Sequence, residues 1–136
     1  MVRRSMDAIG QLERVELLHC SSLYRTAPVD SSGPDYINAV VSVRTTGTAY
    51  ELLGGLQRLE HAARRERPYR NAPRTLDLDL LLFGDATIHS ATLELPHPRM
   101  GARAFVLVPL AQIAPQRVEP AALRAVADQP CERLPD

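Results

Sequence analysis

The sequence has 136 residues, of which 45% are hydrophobic, and its 16 basic residues balance 16 acidic ones. This length and apolar content suit one domain, which we predict over residues 1–136 with flexible ends at 1–5 and 129–136. The zero net charge gives no overall attraction to nucleic acid or to an anionic membrane. All the basic residues are arginine, which excludes a Walker A loop and Schiff-base chemistry because both need lysine.

Cysteine usage and the N-terminal sequence bear on the compartment. Cys20 and Cys131 are too few for a disulfide framework and lie far apart, which favours a reducing, cytoplasmic compartment. The basic start runs into Asp7 without an apolar stretch, so it does not predict a signal peptide. The longest strongly apolar run, residues 80–83, is too short to span a membrane.

The first half of the chain predicts helices and strands in alternation. A strand rich in β-branched residues follows a loop with two prolines, and Thr48 and Glu51 have the spacing of a capping box. The inward side chains expected on the first strand are Val15, Leu17 and Cys20. The predicted elements are a helix at 6–14, a strand at 15–23, a loop at 24–35, a strand at 36–45 and a helix from 48 to about 65.

The second half adds strands and two more helices. The predicted elements are a strand at 74–83, a hairpin at 87–95, a turn at 96–101, helices at 103–113 and 120–127, and a tail from 129. Strands and helices interleave along the chain, which indicates an α/β or α+β class with one sheet.

Two aspartates on the predicted strand at 74–83 give the sharpest chemical signal. Side chains alternate along a strand, so Asp77 and Asp79 share a face opposite their leucine neighbours, with Cα atoms about 6.6 Å apart. The two charges repel by about 2–3 kcal/mol, a term that a divalent cation reverses. Same-face carboxylates with water and phosphate oxygens make a magnesium site. The alternative is an edge strand with a solvated acidic face.

Arginines dominate the loop that leads into this strand. Five lie within eleven residues, and guanidinium groups beside two carboxylates suit a magnesium-bridged polyphosphate. A solvated surface is an equal alternative, and scarce aromatic residues disfavour a nucleic-acid patch. The arginines are Arg64, Arg65, Arg67, Arg70 and Arg74.

Two other groups of residues are weaker signals on their own. His97, Arg99 and Arg103 form a second basic group, in which a structural role for the histidine is the favoured interpretation. Tyr36 and Asn38 share a strand face, where a ring and an amide could bind a flat heterocycle; a core tyrosine and a turn asparagine are the favoured alternative.

Seven blocks in this order resemble the hydroxymethyl-dihydropterin pyrophosphokinase family of the folate pathway. The resemblance extends from about residue 5 to about residue 128. The blocks are LYRTAP at 23–28, PDYINA at 34–39, QRLE at 57–60, RER at 65–67, PRTLDLD at 73–79, LPHPRM at 95–100 and RAFVL at 103–107.

The resemblance implies a fold and a reaction. The fold is a ferredoxin-like α+β sandwich, a largely antiparallel sheet with helices packed on it. The reaction transfers pyrophosphate from ATP, with two Mg²⁺ ions, to the hydroxymethyl group of 6-hydroxymethyl-7,8-dihydropterin and releases AMP. We expect these small molecules as the only partners, with no nucleic acid or membrane, and a monomeric state.

The resemblance also implies roles for individual residues. Asp77 and Asp79 match metal ligands and, with Arg65 and Arg74, the catalytic group. Positions matching the ATP site are Gln57, Glu60, Arg67, Arg74, Leu80, His97 and Arg103. Positions matching the pterin pocket are Thr26, Ala27, Pro28, Val29, Tyr36, Asn38 and Phe105, in which Tyr36 and Phe105 sandwich the ring.

The sequence departs from the family pattern at its front. Family members usually begin with a β-strand and a glycine-containing turn before the first helix, whereas this sequence starts within or just before that helix. The implied fold therefore lacks its first strand. We expect a start placed too late; a degenerate copy, or another chain that fills the gap, are the alternatives. The functional alternative is a truncated, inactive homologue that still binds nucleotide or pterin.

Overall fold

The computed structural model describes residues 2–26, 36–65 and 76–136. Its helices are α1 (Val2–Gly10), α2 (Ala49–Arg65), α3 (Ala104–Ile113) and α4 (Pro120–Ala125), with 3₁₀ turns at Met100–Ala102 and Pro115–Arg117. Its strands are β1 (Val15–Cys20), β2 (Tyr24–Thr26), β3 (Tyr36–Asn38), β4 (Val41–Thr45), β5 (Ile88–His89), β6 (Glu94–Leu95) and β7 (Glu132–Arg133).

The described strands form three small sheets. β1 lies next to β4, β3-β2-β7 is antiparallel throughout, and β5 and β6 form an antiparallel hairpin. Antiparallel sheets combined with helices confirm the α+β class and agree with a ferredoxin-like fold. The described strands do not join into the one sheet that we expected, since most of them are only two or three residues long.

The chain divides into two compact units, with boundaries inside β1 and β4. One unit comprises residues 3–17 and 43–97, and the other comprises residues 18–42 and 98–136. Within the described residues, no helix combines the length and the apolar character that crossing a membrane requires.

The first unit is organised around α2. The predicted capping box is confirmed: the Glu51 carboxylate accepts the Thr48 N–H at 2.8 Å, and the Thr48 hydroxyl accepts the Glu51 N–H at 3.1 Å. Hydrogen bonds from the backbone and side chain of Thr48 to this carboxylate hold the pKa of Glu51 below its ordinary value. Leu52 and Leu56, which lie one turn apart on the same face of α2, are buried. A nearby core contains Ala49, Leu93 and Leu95, with Leu53, Leu80, Phe83 and Ile88 packed against it.

The second unit is built around α3, whose buried residues are Ala104, Val106, Leu107, Pro109 and Leu110. A polar network joins this helix to the β1–β2 connection. The Gln112 side-chain oxygen accepts the Ser22 N–H at 2.9 Å and the Tyr24 hydroxyl at 2.7 Å. Its Nε2 donates to the Ser22 hydroxyl at 3.0 Å. Burial raises the pKa of Tyr24, so that its hydroxyl stays a donor.

Several boundaries differ from the sequence prediction. The strand expected at 36–45 is interrupted at 39–40, because the buried Val40 bonds to Ser21 instead: its N–H donates to the Ser21 hydroxyl and its carbonyl accepts the Ser21 N–H. Cys20 is exposed rather than inward. Part of the expected loop at 24–35 is β2, and the expected tail from 129 contains β7, which pairs with β2.

Candidate active site

The segment that carries Asp77 and Asp79 is extended without being part of a sheet. Residues 76–83 contain no strand, so the prediction of a strand there is wrong for its described part. The predicted alternation of faces nevertheless holds, since the two aspartates are exposed and the leucines between and beside them are half-buried. Leu80 packs against the core of the first unit, which turns Asp79 outward.

Two hydrogen bonds hold this segment in place. The Leu78 N–H, which lies between the two aspartates, donates to the Glu60 carboxylate on α2 at 2.7 Å. The His97 N–H donates to the Leu81 carbonyl at 2.9 Å. The Glu60 carboxylate thus accepts the N–H that a neighbouring strand would accept in a sheet. Three of the sequence-predicted ATP-site residues belong to this segment or hydrogen-bond to it: Leu80, Glu60 and His97.

The aspartate pair offers hard oxygen ligands to a metal. Among the described residues, no group of three or more histidine, cysteine, aspartate or glutamate side chains could hold a metal ion by itself. Magnesium is commonly bound through only one or two carboxylates, with water and substrate phosphates completing its octahedron. Two exposed carboxylates on one face of a segment anchored from its other side therefore fit this ion.

The last turns of α2, the helix that carries Glu60, have polar and basic side chains. Gln57 is exposed and lies one turn before the half-buried Glu60. Arg64 and Arg65 are exposed in the final turn, where positive charge is favourable for the helix dipole. Gln57 and Arg65 therefore lie on the same helix as the residue that anchors the aspartates.

In the second unit, β2 and β3 bring three predicted pterin-pocket residues together. Thr26 pairs with Tyr36 across the strands, and Tyr24 pairs with Asn38. The Asn38 Nδ2 donates to the Thr26 hydroxyl at 3.0 Å, which leaves the amide oxygen of Asn38 outside this bond. Tyr36 is 59% exposed, so its ring is open to stacking.

Arg103 and Phe105 lie at the start of α3. The Arg103 guanidinium lies over the Phe105 ring, 5.2 Å from its centroid, and both side chains are half-buried. This contact orients a cation and an aromatic face toward each other.

Some predicted residues fall outside the described residues. They are Ala27, Pro28 and Val29 of the expected pterin pocket and Arg67 and Arg74 of the expected phosphate site. Conversely, sequence reasoning missed Gln112, because its partners lie 88 and 90 residues away and no local pattern predicts them.

Comparison with known proteins identifies the family. Residues 1–115 match the family described as 7,8-dihydro-6-hydroxymethylpterin-pyrophosphokinase (HPPK). Three relatives carry the name 2-amino-4-hydroxy-6-hydroxymethyldihydropteridine pyrophosphokinase. The Synechocystis protein is 46% identical over 106 residues, which are 78% of this chain and 54% of that protein. The Haemophilus influenzae protein is 42% identical over 85% of this chain and 73% of its own length.

The third relative, from Pseudomonas aeruginosa, is 38% identical over 98% of this chain and 87% of its own length. The chain thus spans about half of the Synechocystis relative and most of the other two. The resemblance found in the seven sequence blocks is confirmed, and the chain belongs to the 7,8-dihydro-6-hydroxymethylpterin-pyrophosphokinase family.

Proposed function

We propose that this chain transfers pyrophosphate from ATP to the hydroxymethyl group of 6-hydroxymethyl-7,8-dihydropterin, releasing AMP, as a step of folate biosynthesis. Family membership supports the reaction, and the name shared by its relatives supports the acceptor. The observation that carries the site assignment is the exposed Asp77 and Asp79 pair, held by the bond between Glu60 and the Leu78 N–H.

Within this proposal, Asp77 and Asp79 hold magnesium, of which we expect two ions. Bound magnesium would neutralise phosphate charge and orient the reacting oxygens. The chain's own part is positioning and charge: phosphoryl-type transfer leaves a protein little covalent work. Arg65 and Arg74 bind the phosphate being transferred, because guanidinium groups match phosphate oxygens in pairs.

The remaining residues select and hold the two substrates. Gln57, Glu60, Arg67, Leu80, His97 and Arg103 form the proposed ATP site. Thr26, Ala27, Pro28, Val29, Tyr36, Asn38 and Phe105 form the proposed pterin pocket. The exposed ring of Tyr36 supports a stacking role, and the amide oxygen of Asn38 provides an acceptor for an N–H group on a flat heterocycle.

We also propose one functional domain that acts as a cytoplasmic monomer. Cys20 and Cys131 form no disulfide with each other among the described residues, which fits a reducing compartment. Burial raises the pKa of the Cys131 thiol, which keeps it protonated and unreactive. Light scattering on the purified chain would measure its mass in solution, and a mass of two chains would contradict the monomer.

The test of the reaction is AMP release by the purified chain with magnesium, ATP and the hydroxymethyl-dihydropterin, and with the pterin omitted as a control. Pterin-dependent AMP supports the proposal, and its absence contradicts activity of this chain. Asp77→Asn and Asp79→Asn keep side-chain size but remove charge, so each should lower turnover by about a hundredfold or more. Asp128→Asn, an exposed aspartate in the turn after α4, is the matched control and should leave turnover unchanged.

A further inference from the structure

Gln129, near the end of the sequence, hydrogen-bonds to the residues on both sides of Arg103. Gln129 Oε1 accepts the Ala104 N–H at 2.9 Å, and Gln129 Nε2 donates to the Ala102 carbonyl at 3.0 Å. These two groups lie immediately after and before Arg103 in the chain. The backbone of Gln129 is itself fixed, because its N–H donates to the Val126 carbonyl at 3.0 Å.

The start of α3 needs this help from a distant residue. Arg103 is the N-cap of α3, with extended backbone angles of φ −126° and ψ 115°, and no side chain at the cap bonds to the helix. An arginine has donors only, so it cannot accept a helical N–H as serine or aspartate would. Ala104 is only 2% exposed, so water cannot replace the missing acceptor at low cost. Gln129 supplies the cap from 25 residues away.

The segment after Gln129 is attached to the same unit. β7 pairs with β2, and the Leu134 N–H donates to the Leu23 carbonyl at 2.8 Å. The Cys131 thiol lies 3.9 Å from the Ala104 carbonyl. The amide of Gln129 is therefore anchored on the protein both by its own backbone and by the pairing of β7.

We propose that Gln129 is a positioning residue, which fixes the direction in which Arg103 leaves the backbone so that its guanidinium can bind ATP phosphate. This inference rests on the proposed function for the role of Arg103. The two hydrogen bonds of Gln129 fix the peptide groups on both sides of the arginine. The guanidinium already lies over the Phe105 ring, 5.2 Å from its centroid. Gln129 lies beyond the residues that match the family, 1–115.

Two variants separate the cap from the rest of the side chain. Gln129→Leu has similar bulk and makes neither bond, whereas Gln129→Glu keeps an oxygen for the Ala104 N–H at a helix N-terminus, where negative charge is favourable. Gln116→Leu, at an exposed glutamine in the 3₁₀ turn at 115–117, is the matched control. Amide hydrogen exchange at Ala104 reports the cap without reference to activity.

We expect Gln129→Leu to speed exchange at Ala104 and to weaken magnesium–ATP binding, measured by calorimetry, by about tenfold each. Gln129→Glu should restore most of the slow exchange at Ala104 but little of the ATP affinity, because its carboxylate accepts the Ala104 N–H and cannot donate to the Ala102 carbonyl. Gln116→Leu should change neither. In an Arg103→Ala background, Gln129→Leu should weaken ATP binding by less than about twofold, because the residue it positions is gone.

An equal loss of ATP affinity in both backgrounds would overturn the inference, since Gln129 would then act on the fold in general. So would exchange at Ala104 that is as fast in Gln129→Glu as in Gln129→Leu. The proposed function is judged separately, by pterin-dependent AMP release from the unaltered chain. A chain that binds ATP and releases no AMP would contradict that function, while the affinity ratios would still decide the role of Gln129.

Discussion

Glu60 connects the fold to the proposed chemistry, because its carboxylate accepts the Leu78 N–H that lies between Asp77 and Asp79. Glu60→Leu removes this acceptor. A hydrogen bond to a charged group contributes about 1.5–3 kcal/mol. Both residues are half-buried, so water recovers part of it, and the net loss should be about 1–2 kcal/mol. If the aspartates are displaced and the transition state loses this free energy, kcat/KM falls by about tenfold.

The matched variant is Glu60→Gln, whose amide oxygen can accept the same N–H without the charge. Its turnover should stay within about threefold of the unaltered chain, because position and not charge is what the bond supplies. The assay is the initial rate of pterin-dependent AMP release at several magnesium concentrations, with circular dichroism to verify folding. Equal losses in the two variants would refute this reasoning, because they would show that the negative charge of Glu60 matters and the bond to Leu78 does not.

Three further predictions concern stability, each measured by denaturant unfolding. Gln112→Leu leaves the buried Ser22 N–H without its acceptor and should lower the free energy of unfolding by about 1–3 kcal/mol, whereas Gln112→Glu should cost less than about 1; equal costs would contradict the network. Leu95→Ala empties a fully buried core position and should cost about 2–5 kcal/mol; a loss below about 1 would show that the core collapses around the site. Because the pKa of the Glu51 carboxylate is lowered, its contribution to the free energy of unfolding is present above the ordinary pKa of 4.5 and is lost as pH falls through the folded value. In Glu51→Gln the free energy of unfolding should therefore fall less between about pH 6 and about pH 3 than in the unaltered chain. An equal fall in both would contradict the assigned role of the bonds from Thr48 to this carboxylate.

The elements that sequence predicts well are those whose signals are local. Thr48 and Glu51 mark the start of α2 by spacing alone, and the structure shows both reciprocal bonds. Leu52 and Leu56 recur at helical spacing and are buried. The hairpin at 88–95 and helix α3 are likewise where sequence places them.

The elements that sequence misses depend on partners far along the chain. β2 has three residues and β7 has two, too few for an alternating pattern. β2 becomes a strand by pairing with β3 and β7, and β7 by pairing with β2. Gln112 and Gln129 are ordinary polar residues in their own neighbourhoods. Their roles come from hydrogen bonds that span 25 residues or more, which no spacing rule detects.

The Asp77 segment shows how a prediction can fail for structure and hold for chemistry. Alternating leucine and aspartate predicts which side chains turn inward, because burial selects apolar groups whatever the backbone bonds to. The alternation does not predict which group accepts the backbone N–H groups. Here the Leu78 N–H donates to the Glu60 carboxylate instead of to a neighbouring strand. Two exposed carboxylates on one face need only the alternation. Their fixed position also needs an acceptor for the Leu78 N–H, which makes Glu60 a residue at which fold and proposed function can be separated by experiment.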